Sequence, residues 1–346
     1  MKGQIRLIFS AMITVALCIA VVNVGLSIGT ESKINNNEVK EAAQSEVVVQ
    51  DFIHDNYVIS EKNPWTDYSL HPVNYTEVSG GFDKKIDAEA AVLVDLNTKN
   101  ILFGKNINKR RSPASTTKLM TALTVLQVMN LNDTVVIGNE VNMIATDSSK
   151  AGFSKGQVAT VEELLNGMLI CSGNDAAYIL AKATGEAIFD NNIANEGKSF
   201  TDAQCVERFV LEMNKNVRDM ELENTHFTTP DGYDDSKQYT TASDLSKIAI
   251  EAYSNEVIAK ICKKHSYKSD TLGRTWISTN ELLDKNSDYY YKYCVGLKTG
   301  STDAAGKCLV SVGKKKNAEC ISVVLGDESD QQRWSDTKEL LKYGIE

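Results

Sequence analysis

The pattern of hydrophobic and polar positions divides the chain into three parts. An apolar run without charge follows Lys2 and Arg6 and continues to Glu31, a polar stretch rich in Asn, Glu, Lys and Ser comes next, and dense apolar patterns fill the remainder. A terminal apolar run with a basic flank is typical of an export signal or a membrane anchor, which leaves the following residues outside the cytoplasm. We therefore expect a signal or transmembrane segment at 1–29, an extracytoplasmic linker at 30–85 and a folded domain at 86–346.

The apolar run is longer than a signal peptide needs. Only Ser27-Ile28-Gly29 resembles a cleavage site of small residues. The pattern therefore favours an uncleaved anchor over a signal that is removed to release the protein.

Within 86–346 the periodicity predicts strands, then helices, then strands and a last helix. AAVLVDLNTKNILFGKN alternates around a polar turn, which predicts a β-hairpin. The helical patterns cover Ser115–Met129, Thr160–Ala183, Asp202–Met220, Thr241–Tyr253 and Gln332–Tyr343, and the later strand patterns cover Cys294–Lys298, Lys307–Gly313 and Cys320–Leu325. This order predicts an α/β (α+β) fold, in which an antiparallel sheet is flanked by helices and interrupted by an inserted helical subdomain.

Composition excludes some classes of function. A formal net charge of −9 argues against a nucleic-acid partner, which favours basic surfaces. The chain has seven cysteines and no C-x-x-C pair, so their spacing gives no zinc or dithiol-redox signature. We expect neither a metal nor another cofactor, and we expect buried free thiols rather than the one or two disulfides that an exported domain could form.

One of three S-x-x-K matches lies in a setting that suits a nucleophile. Ser112 is a suitable N-cap and Pro113 fits the first helical position, so Ser115 falls in the first turn of an apolar helix. Lys118 shares its helix face and can reach its hydroxyl. The other two matches, in a strand and at a polar helix start, are Ser311/Lys314 and Ser335/Lys338.

Lys118 can act as a base only if it is uncharged part of the time. Lowering its pKa from about 10.4 towards 7 corresponds to roughly 4 to 5 kcal/mol of destabilised ammonium, which burial and a second cation can supply. Lys298, in the one K-T-G of the chain, is the candidate second cation. Gly300 then leaves the strand edge open to a substrate lying alongside it; the alternative is a strand that simply runs into a glycine turn.

Ser172-Gly173-Asn174 interrupts two apolar helical stretches. This position directs two polar side chains into a crevice, although a buried and satisfied turn between helices is the alternative. A second S-x-N at Ser278 lacks such a setting.

S-x-x-K, S-x-N and K-T-G occur here in the order that is found in the serine penicillin-interacting enzymes. Segments such as SPASTTKLMTAL, MLICSGNDAAYILA and GLKTGSTDAAGKCLVSV resemble the low-molecular-mass D-alanyl-D-alanine carboxypeptidases, and the likeness extends from Ala88 to Ile345. The resemblance implies a β-lactamase/transpeptidase-like fold and makes 86–346 the catalytic domain. It also implies that the chain removes the terminal D-alanine from peptidoglycan stem peptides, that β-lactam antibiotics acylate it, and that it meets the membrane through its N-terminal segment.

By position in the family motifs, Ser115 is expected to attack the penultimate D-alanine carbonyl and form an acyl-enzyme. Lys118 takes its proton. Ser172, with Lys298 as a further candidate, passes a proton to the leaving D-alanine.

The remaining motif positions are expected to bind substrate. Asn174 holds the substrate backbone, Gly300 opens the strand edge, and the N–H groups of Ser115 and Ser301 form the oxyanion hole. Thr299 and Arg333 receive the terminal carboxylate, because an arginine can bind that group through two hydrogen bonds. A surface salt bridge is the alternative for Arg333.

The sequence departs from the family pattern at three places. Tyr233 stands where the family usually has leucine, and Cys171 directly precedes Ser172. The sequence ends at Glu346, whereas many relatives continue into a β-rich domain and an amphipathic tail, so we expect attachment through the N-terminal segment.

Four other functions fit parts of the sequence. G-x-S-x-G at Gly152–Gly156 would suit an α/β-hydrolase, but its preceding segment is too polar for the required strand. A β-lactamase needs a glutamate for deacylation, and the E-x-x-L-N match at Glu162–Asn166 precedes Ser172 instead of following it. A wall-binding paralogue without turnover, and an endopeptidase or transpeptidase using the same acyl-enzyme, remain open.

Overall fold

The computed structural model describes residues 70–77, 81–190, 195 and 197–346. The predicted signal or anchor segment at 1–29 and most of the predicted linker at 30–85 lie outside these residues. Within the described part of the chain, none of the helices has both the length and the hydropathy that crossing a membrane requires.

Within the described residues, six strands form the main sheet, and two further pairs form small two-stranded antiparallel sheets. In chain order the strands are β1 Thr76–Glu77, β2 Ala90–Asp95, β3 Asn100–Lys105, β4 Thr134–Val136, β5 Val158–Thr160, β6 Ser266–Lys268, β7 Thr275–Ile277, β8 Cys294–Thr302, β9 Gly306–Lys315 and β10 Ala318–Asp327. The main sheet has the order β1-β3-β2-β10-β9-β8, and every pairing in it except β1 with β3 is antiparallel. The predicted antiparallel sheet is confirmed, and β8 lies at its edge.

The helices lie mostly in the insertion between β3 and β8. They are α1 Lys118–Leu126, α2 Val161–Ile170, α3 Asn174–Asp190, α4 Asp202–Asp219, α5 Ala242–Ser254, α6 Glu256–Cys262 and α7 Asp330–Ile345. Thr160, Thr201 and Thr241 cap α2, α4 and α5 by accepting a backbone N–H in the first turn. The periodicity did not predict α6 or the strand pairs β4–β5 and β6–β7, because elements this short do not complete a repeat.

The sheet is covered on both faces. Along β2, Val92 and Val94 belong to the core shared with the inserted helices, whereas Ala91 and Leu93 belong to the core shared with α7. Because successive side chains point to opposite faces of a strand, a continuous apolar run such as AAVLV serves both layers.

The six cysteines in the described residues are all free thiols, as expected from the lack of paired spacing. Only Cys171 is partly exposed, and burial raises its pKa to about 11. Cys18 lies outside the described residues.

Candidate active site

Ser115 lies in a short 3₁₀ helix, Ala114–Thr117, that leads directly into α1. The prediction that Ser112 caps this helix is wrong, because its hydroxyl instead donates to the Asp234 carboxylate at 3.1 Å. Ala114 has a φ of +47°, a strained value for a residue with a side chain. The strain lies immediately before Ser115, where it turns the chain into the helix.

A segment that the sequence analysis left without a role supports this helix start. The φ of Gly232 is +85°, and a Cβ at that position would lie 1.9 Å from the Ala114 carbonyl oxygen. The Thr121 hydroxyl donates to the Pro230 carbonyl at 2.5 Å. A glycine following Pro-Asp is a turn signal that was readable in the sequence, but its contact with the helix start was not.

Lys118 is fully buried, and its Nζ has three acceptors. It lies 2.8 Å from the Ser115 Oγ, 2.7 Å from the Asn174 Oδ1 and 2.7 Å from the Asp231 carbonyl oxygen. The amide and carbonyl oxygens only accept, so an uncharged Lys118 must donate its two hydrogens to them. Its lone pair is then left pointing at the Ser115 hydroxyl, which is the geometry of a general base.

Burial lowers the pKa of Lys118 to about 8, against the opposing influence of Asp231 and Asp175. The sequence-based argument assigned this effect partly to Lys298. In the structure, burial is the main cause of the Lys118 shift, and burial and then the charge on Lys118 lower the pKa of Lys298 well below its ordinary value. Lys118 changes charge near pH 8.

Ser172, Gly173 and Cys171 form the turn between α2 and α3, and Asn174 begins α3. Ser172 is 6% exposed and has a φ of +61°, a second strained residue at the site. A Cβ on Gly173 would lie 2.8 Å from the Ala151 nitrogen, so the neighbouring loop packs directly on this turn. The prediction of two polar side chains in a crevice between helices describes this arrangement.

Asp175 holds that loop in place. Its carboxylate accepts hydrogen bonds from the backbone nitrogens of Ala151, Gly152 and Phe153 at 2.7, 2.7 and 3.0 Å. The sequence analysis missed this residue, although an acidic side chain in a first helical turn was a signal. The loop contains the G-x-S-x-G match, where Ser154 is exposed and no strand precedes it, so the hydrolase alternative is excluded.

K-T-G lies within β8 and not at its end. The Thr299 hydroxyl hydrogen-bonds the Thr279 hydroxyl at 2.6 Å, and the Thr279 nitrogen donates to the Ile170 carbonyl at the end of α2. This connection brings β8 beside the Ser172 turn. The Ser301 hydroxyl is exposed and accepts from Lys307 at 2.9 Å.

Gly300 is required because β8 packs closely against Ala114 and Ser115, and not only because a glycine leaves the strand edge open. A Cβ there would lie 3.0 Å from the Ala114 Cβ and 3.2 Å from the Ser115 nitrogen. The glycine therefore lets β8 lie directly against the residue that carries the nucleophile.

Arg333 is 6% exposed, and its salt bridge is made from a buried guanidinium to the exposed Asp330. It extends from α7 and donates to the carbonyl oxygens of Gly300 and Cys308 at 3.0 and 3.3 Å, and it also pairs with Asp330. The guanidinium thus lies directly behind the K-T-G strand, with part of its hydrogen-bonding capacity already used by the backbone.

The E-x-x-L-N match does not reach the site. The Asn166 amide donates to the Glu162 carbonyl of its own helix, and its oxygen accepts from Lys264. The interpretation of this match as a coincidence agrees with the geometry.

The sequence matches the D-alanyl-D-alanine carboxypeptidase family over residues 76–188 and 202–329. A carboxypeptidase of this name from Streptomyces sp. is 32% identical over 272 residues, which are 75% of this chain and 88% of the relative. DacA of Escherichia coli, also a D-alanyl-D-alanine carboxypeptidase, is 32% identical over 75% of this chain, but the match spans only 61% of that longer protein.

A solved structure agrees with these sequence matches. The crystal structure of a Streptomyces DD-transpeptidase has a TM-score of 0.68 and 32% sequence identity to this chain, covering 76% of this chain and 99% of the other. The predicted fold is therefore confirmed, and the chain belongs to the D-alanyl-D-alanine carboxypeptidase family of serine peptidases among the low-molecular-mass penicillin-binding proteins.

Proposed function

We propose that this chain removes the terminal D-alanine from peptidoglycan stem peptides through an acyl-enzyme on Ser115, and that penicillin acylates the same hydroxyl. The observation that carries the proposal is the position of the Lys118 Nζ, 2.8 Å from the Ser115 Oγ with its other hydrogens directed at two acceptors. This arrangement supports proton removal from Ser115 as its oxygen attacks a carbonyl.

In the acylation step, Lys118 accepts the Ser115 proton while Oγ bonds to the carbonyl carbon of the penultimate D-alanine. The negative charge that develops on the carbonyl oxygen is stabilised by the N–H groups of Ser115 and Ser301. Gly300 supports this role because it lets β8 approach the Ser115 nitrogen.

Collapse of this intermediate breaks the bond to the terminal D-alanine, whose nitrogen needs a proton. Ser172 supplies it and takes a proton in turn from the Lys118 ammonium, so that Lys118 is uncharged again; Lys298, which lies close enough to Lys118 for their charges to interact, supports this transfer. Thr299 and Arg333 bind the carboxylate of the departing residue, and Asn174 binds the peptide backbone. Water then attacks the ester while Lys118 takes one of its protons, and Lys118 gives that proton to the Ser115 oxygen as the ester bond breaks.

A transpeptidase or endopeptidase activity uses the same acyl-enzyme. The solved relative named DD-transpeptidase has the same fold at 32% identity, which supports transpeptidase activity as the second candidate. The two reactions differ only in whether water or an amine attacks the ester.

The test incubates the full-length chain with a pentapeptide ending in D-Ala-D-Ala, with and without an amine acceptor, and separately with labelled penicillin. We expect release of D-alanine without acceptor and a stable label on Ser115. A transferred product that forms only with the amine supports the transpeptidase. Labelling without release indicates a binding paralogue, and rapid release of opened antibiotic indicates a β-lactamase.

Ser115→Ala should abolish both labelling and D-alanine release while retaining the far-UV circular dichroism of the fold. Ser154→Ala, at the exposed serine of the excluded hydrolase motif, is the matched control and should keep both activities. Labelling that persists in Ser115→Ala would show that another residue is the nucleophile.

The proposal extends to location. Residues 1–29 export and anchor the chain, 30–85 tether it, and 86–346 act outside the cytoplasm on the wall. β1, within the tether range, already pairs with β3, so a soluble form should begin before residue 70. Removal of 1–29 should move the protein from the membrane fraction to the soluble fraction, and a protein that stays with the membrane contradicts the anchor.

A further inference from the structure

Tyr233 and Asp147 form a hydrogen bond that the proposed mechanism does not use. The tyrosine hydroxyl donates to the Asp147 Oδ1 at 3.1 Å, across 86 residues of sequence. Tyr233 is 37% exposed, and Asp147 is exposed. Two solvent-facing side chains are thus held together where each could also contact a ligand.

The tyrosine end of this bond is fixed to the helix start and to β8. The Tyr233 nitrogen donates to the Asp231 carboxylate at 3.0 Å, and the Asp231 carbonyl accepts from Lys118. Next to Tyr233, Asp234 accepts from the Thr302 hydroxyl at 2.6 Å. Tyr233 is therefore anchored between the catalytic lysine and the last residue of β8.

Asp147 is held on the other side of the cleft, next to the Ser172 turn. Asp147 precedes Ser149, whose carbonyl accepts from the Asn174 nitrogen at 2.8 Å, and the same loop continues into the residues that Asp175 holds. Asn174 in turn accepts from Lys118. Contacts therefore lead from Lys118 to both Tyr233 and Asp147. The hydrogen bond between these two residues joins the β8 side of the cleft to the Ser172 side.

The direction of β8 shows which part of a substrate meets this bond. In the proposed function, which this inference rests on, the terminal carboxylate lies at Thr299 and the reacting carbonyl at Ser301. The rest of the stem peptide, which becomes the acyl group, must then continue past Thr302. That is the end of β8 to which Asp234 ties the Tyr233 segment.

We propose that Tyr233 and Asp147 form a clasp, defined as these two residues and the hydrogen bond between them, that binds the acyl-donor part of the stem peptide and determines preference for long peptides. The tyrosine ring offers an apolar face. The carboxylate retains free acceptor positions after receiving one hydroxyl hydrogen, and it accepts backbone N–H groups of the donor residues.

The test compares kcat/KM of the full-length chain for a stem pentapeptide and for N-acetyl-D-Ala-D-Ala, which ends before the clasp. Tyr233→Phe keeps the ring and removes the hydroxyl that holds Asp147. We expect the ratio of the two kcat/KM values to fall about tenfold, the effect of losing one hydrogen bond to a charged group. Asp147→Ala should lower the ratio at least as much, because it also removes the acceptor for the donor N–H groups, and the double variant should lower it no further than Asp147→Ala does.

Two controls separate the clasp from a general loss of structure. Asp147→Asn keeps an acceptor oxygen and should restore most of the ratio. Tyr343→Phe removes another exposed tyrosine hydroxyl, on α7, and should leave the ratio at the wild-type value.

The clasp is overturned if Tyr233→Phe leaves the ratio unchanged, if it lowers both kcat/KM values and penicillin labelling to the same extent, or if the two single effects multiply in the double variant. If the wild-type chain releases no D-alanine from either peptide, the proposed function fails and the clasp fails with it. If D-alanine is released from both peptides and the ratio of the two kcat/KM values is the same in the variants as in the wild type, only the clasp is refuted.

Discussion

Lys118 and Asp327, in two different regions of this protein, are buried ionisable groups whose surroundings and pKa shifts differ. Lys118, at the site, is 0% exposed and has three hydrogen-bond acceptors around its nitrogen. Asp327, at the end of β10, is 1% exposed and lies beside a second carboxylate, that of Asp336. Both pKa values lie near 8, because burial lowers that of the lysine and raises that of the aspartate.

The partners decide what each group can do. Asp327 lies against Asp336, whose carboxylate already accepts from the nitrogens of Asp87 and Ala88 at 2.6 and 2.8 Å. Protonation of Asp327 therefore avoids the free-energy cost of burying a charge, and the neutral acid can donate a hydrogen bond to Asp336. Lys118 is satisfied both with and without its extra proton. That reversibility makes it suitable for catalysis, whereas Asp327 is only a protonated structural group at neutral pH.

The largest expected effect comes from removing the lysine. Lys118→Ala should slow penicillin acylation by about 10³-fold, within the range that general-base catalysis contributes. The measurement is the second-order rate constant for labelling Ser115, with the exposed Lys155→Ala as control. A rate close to that of the wild type would remove Lys118 from the role of base.

A smaller effect should follow from placing a carboxylate beside Lys118, as Asp336 lies beside Asp327. Asn174→Asp retains the acceptor that receives the Lys118 hydrogen and adds a negative charge 2.7 Å from its nitrogen. The pKa of Lys118 should then rise by about 2 units, and acylation at pH 7 should fall about 100-fold. Acylation rates measured up to pH 10 should show recovery at the alkaline end, and a loss that is independent of pH would contradict the charge argument.

The wild-type pH profile tests the same charge directly. Because the uncharged amine is the base, the acylation rate should rise about tenfold per pH unit below pH 8 and level off above it. Stopped-flow labelling between pH 6 and 9.5 measures this profile. A rate that is constant from pH 6 to 8 would mean that Lys118 is already uncharged at pH 6.

The last expected effect concerns stability and not rate. The pKa of Asp327 is raised to about 8 in the folded chain, so between pH 4 and 8 the folded state holds a proton that the unfolded state has lost. Stability therefore falls with rising pH across this window, by up to about 1.4 kcal/mol per unit. In Asp327→Asn the part of the slope that is due to this proton should be lost, because the amide donates to Asp336 at every pH, and the variant should be more stable than the wild type at pH 8.

Urea unfolding at pH 5 and pH 8 measures that difference. The exposed Asp288→Asn is the control and should keep the wild-type slope. Equal pH dependence in Asp327→Asn and the wild type would show that Asp327 is ionised in the folded protein.

Sequence patterns predicted the elements that are long and those that carry a motif. The long strands β9 and β10 and the helices α4 and α5 repeat their apolar positions often enough to be recognised. The three motifs predicted that Ser115, Lys118, Ser172, Asn174 and Lys298 lie in one cleft. In the structure the Lys118 nitrogen hydrogen-bonds Ser115 and Asn174 and lies near enough to Lys298 for their charges to interact. Ser112 shows the limit of local rules, since a favourable capping residue instead bonds Asp234, 122 positions away.

Several contributors to the site have no local signature. The Asp231 carbonyl that receives a Lys118 hydrogen is a backbone atom, and every residue except proline offers the same groups there. Arg333 was expected to bind the terminal carboxylate, with a surface salt bridge as the alternative, but the sequence did not show how the guanidinium is held. It lies buried behind β8, because α7 packs on the face of the sheet opposite the inserted helices.

The sequence by itself determined the fold class, the family, and the nucleophile and base candidates, because these depend on periodicity and on residue types at short spacings. Only the tertiary structure decided why Lys118 can be uncharged, how deeply Lys298 is buried beside it, and why position 300 must be glycine. Those outcomes depend on burial and on contacts between segments more than fifty residues apart, and such distances are set only when the sheet and the inserted helices pack together.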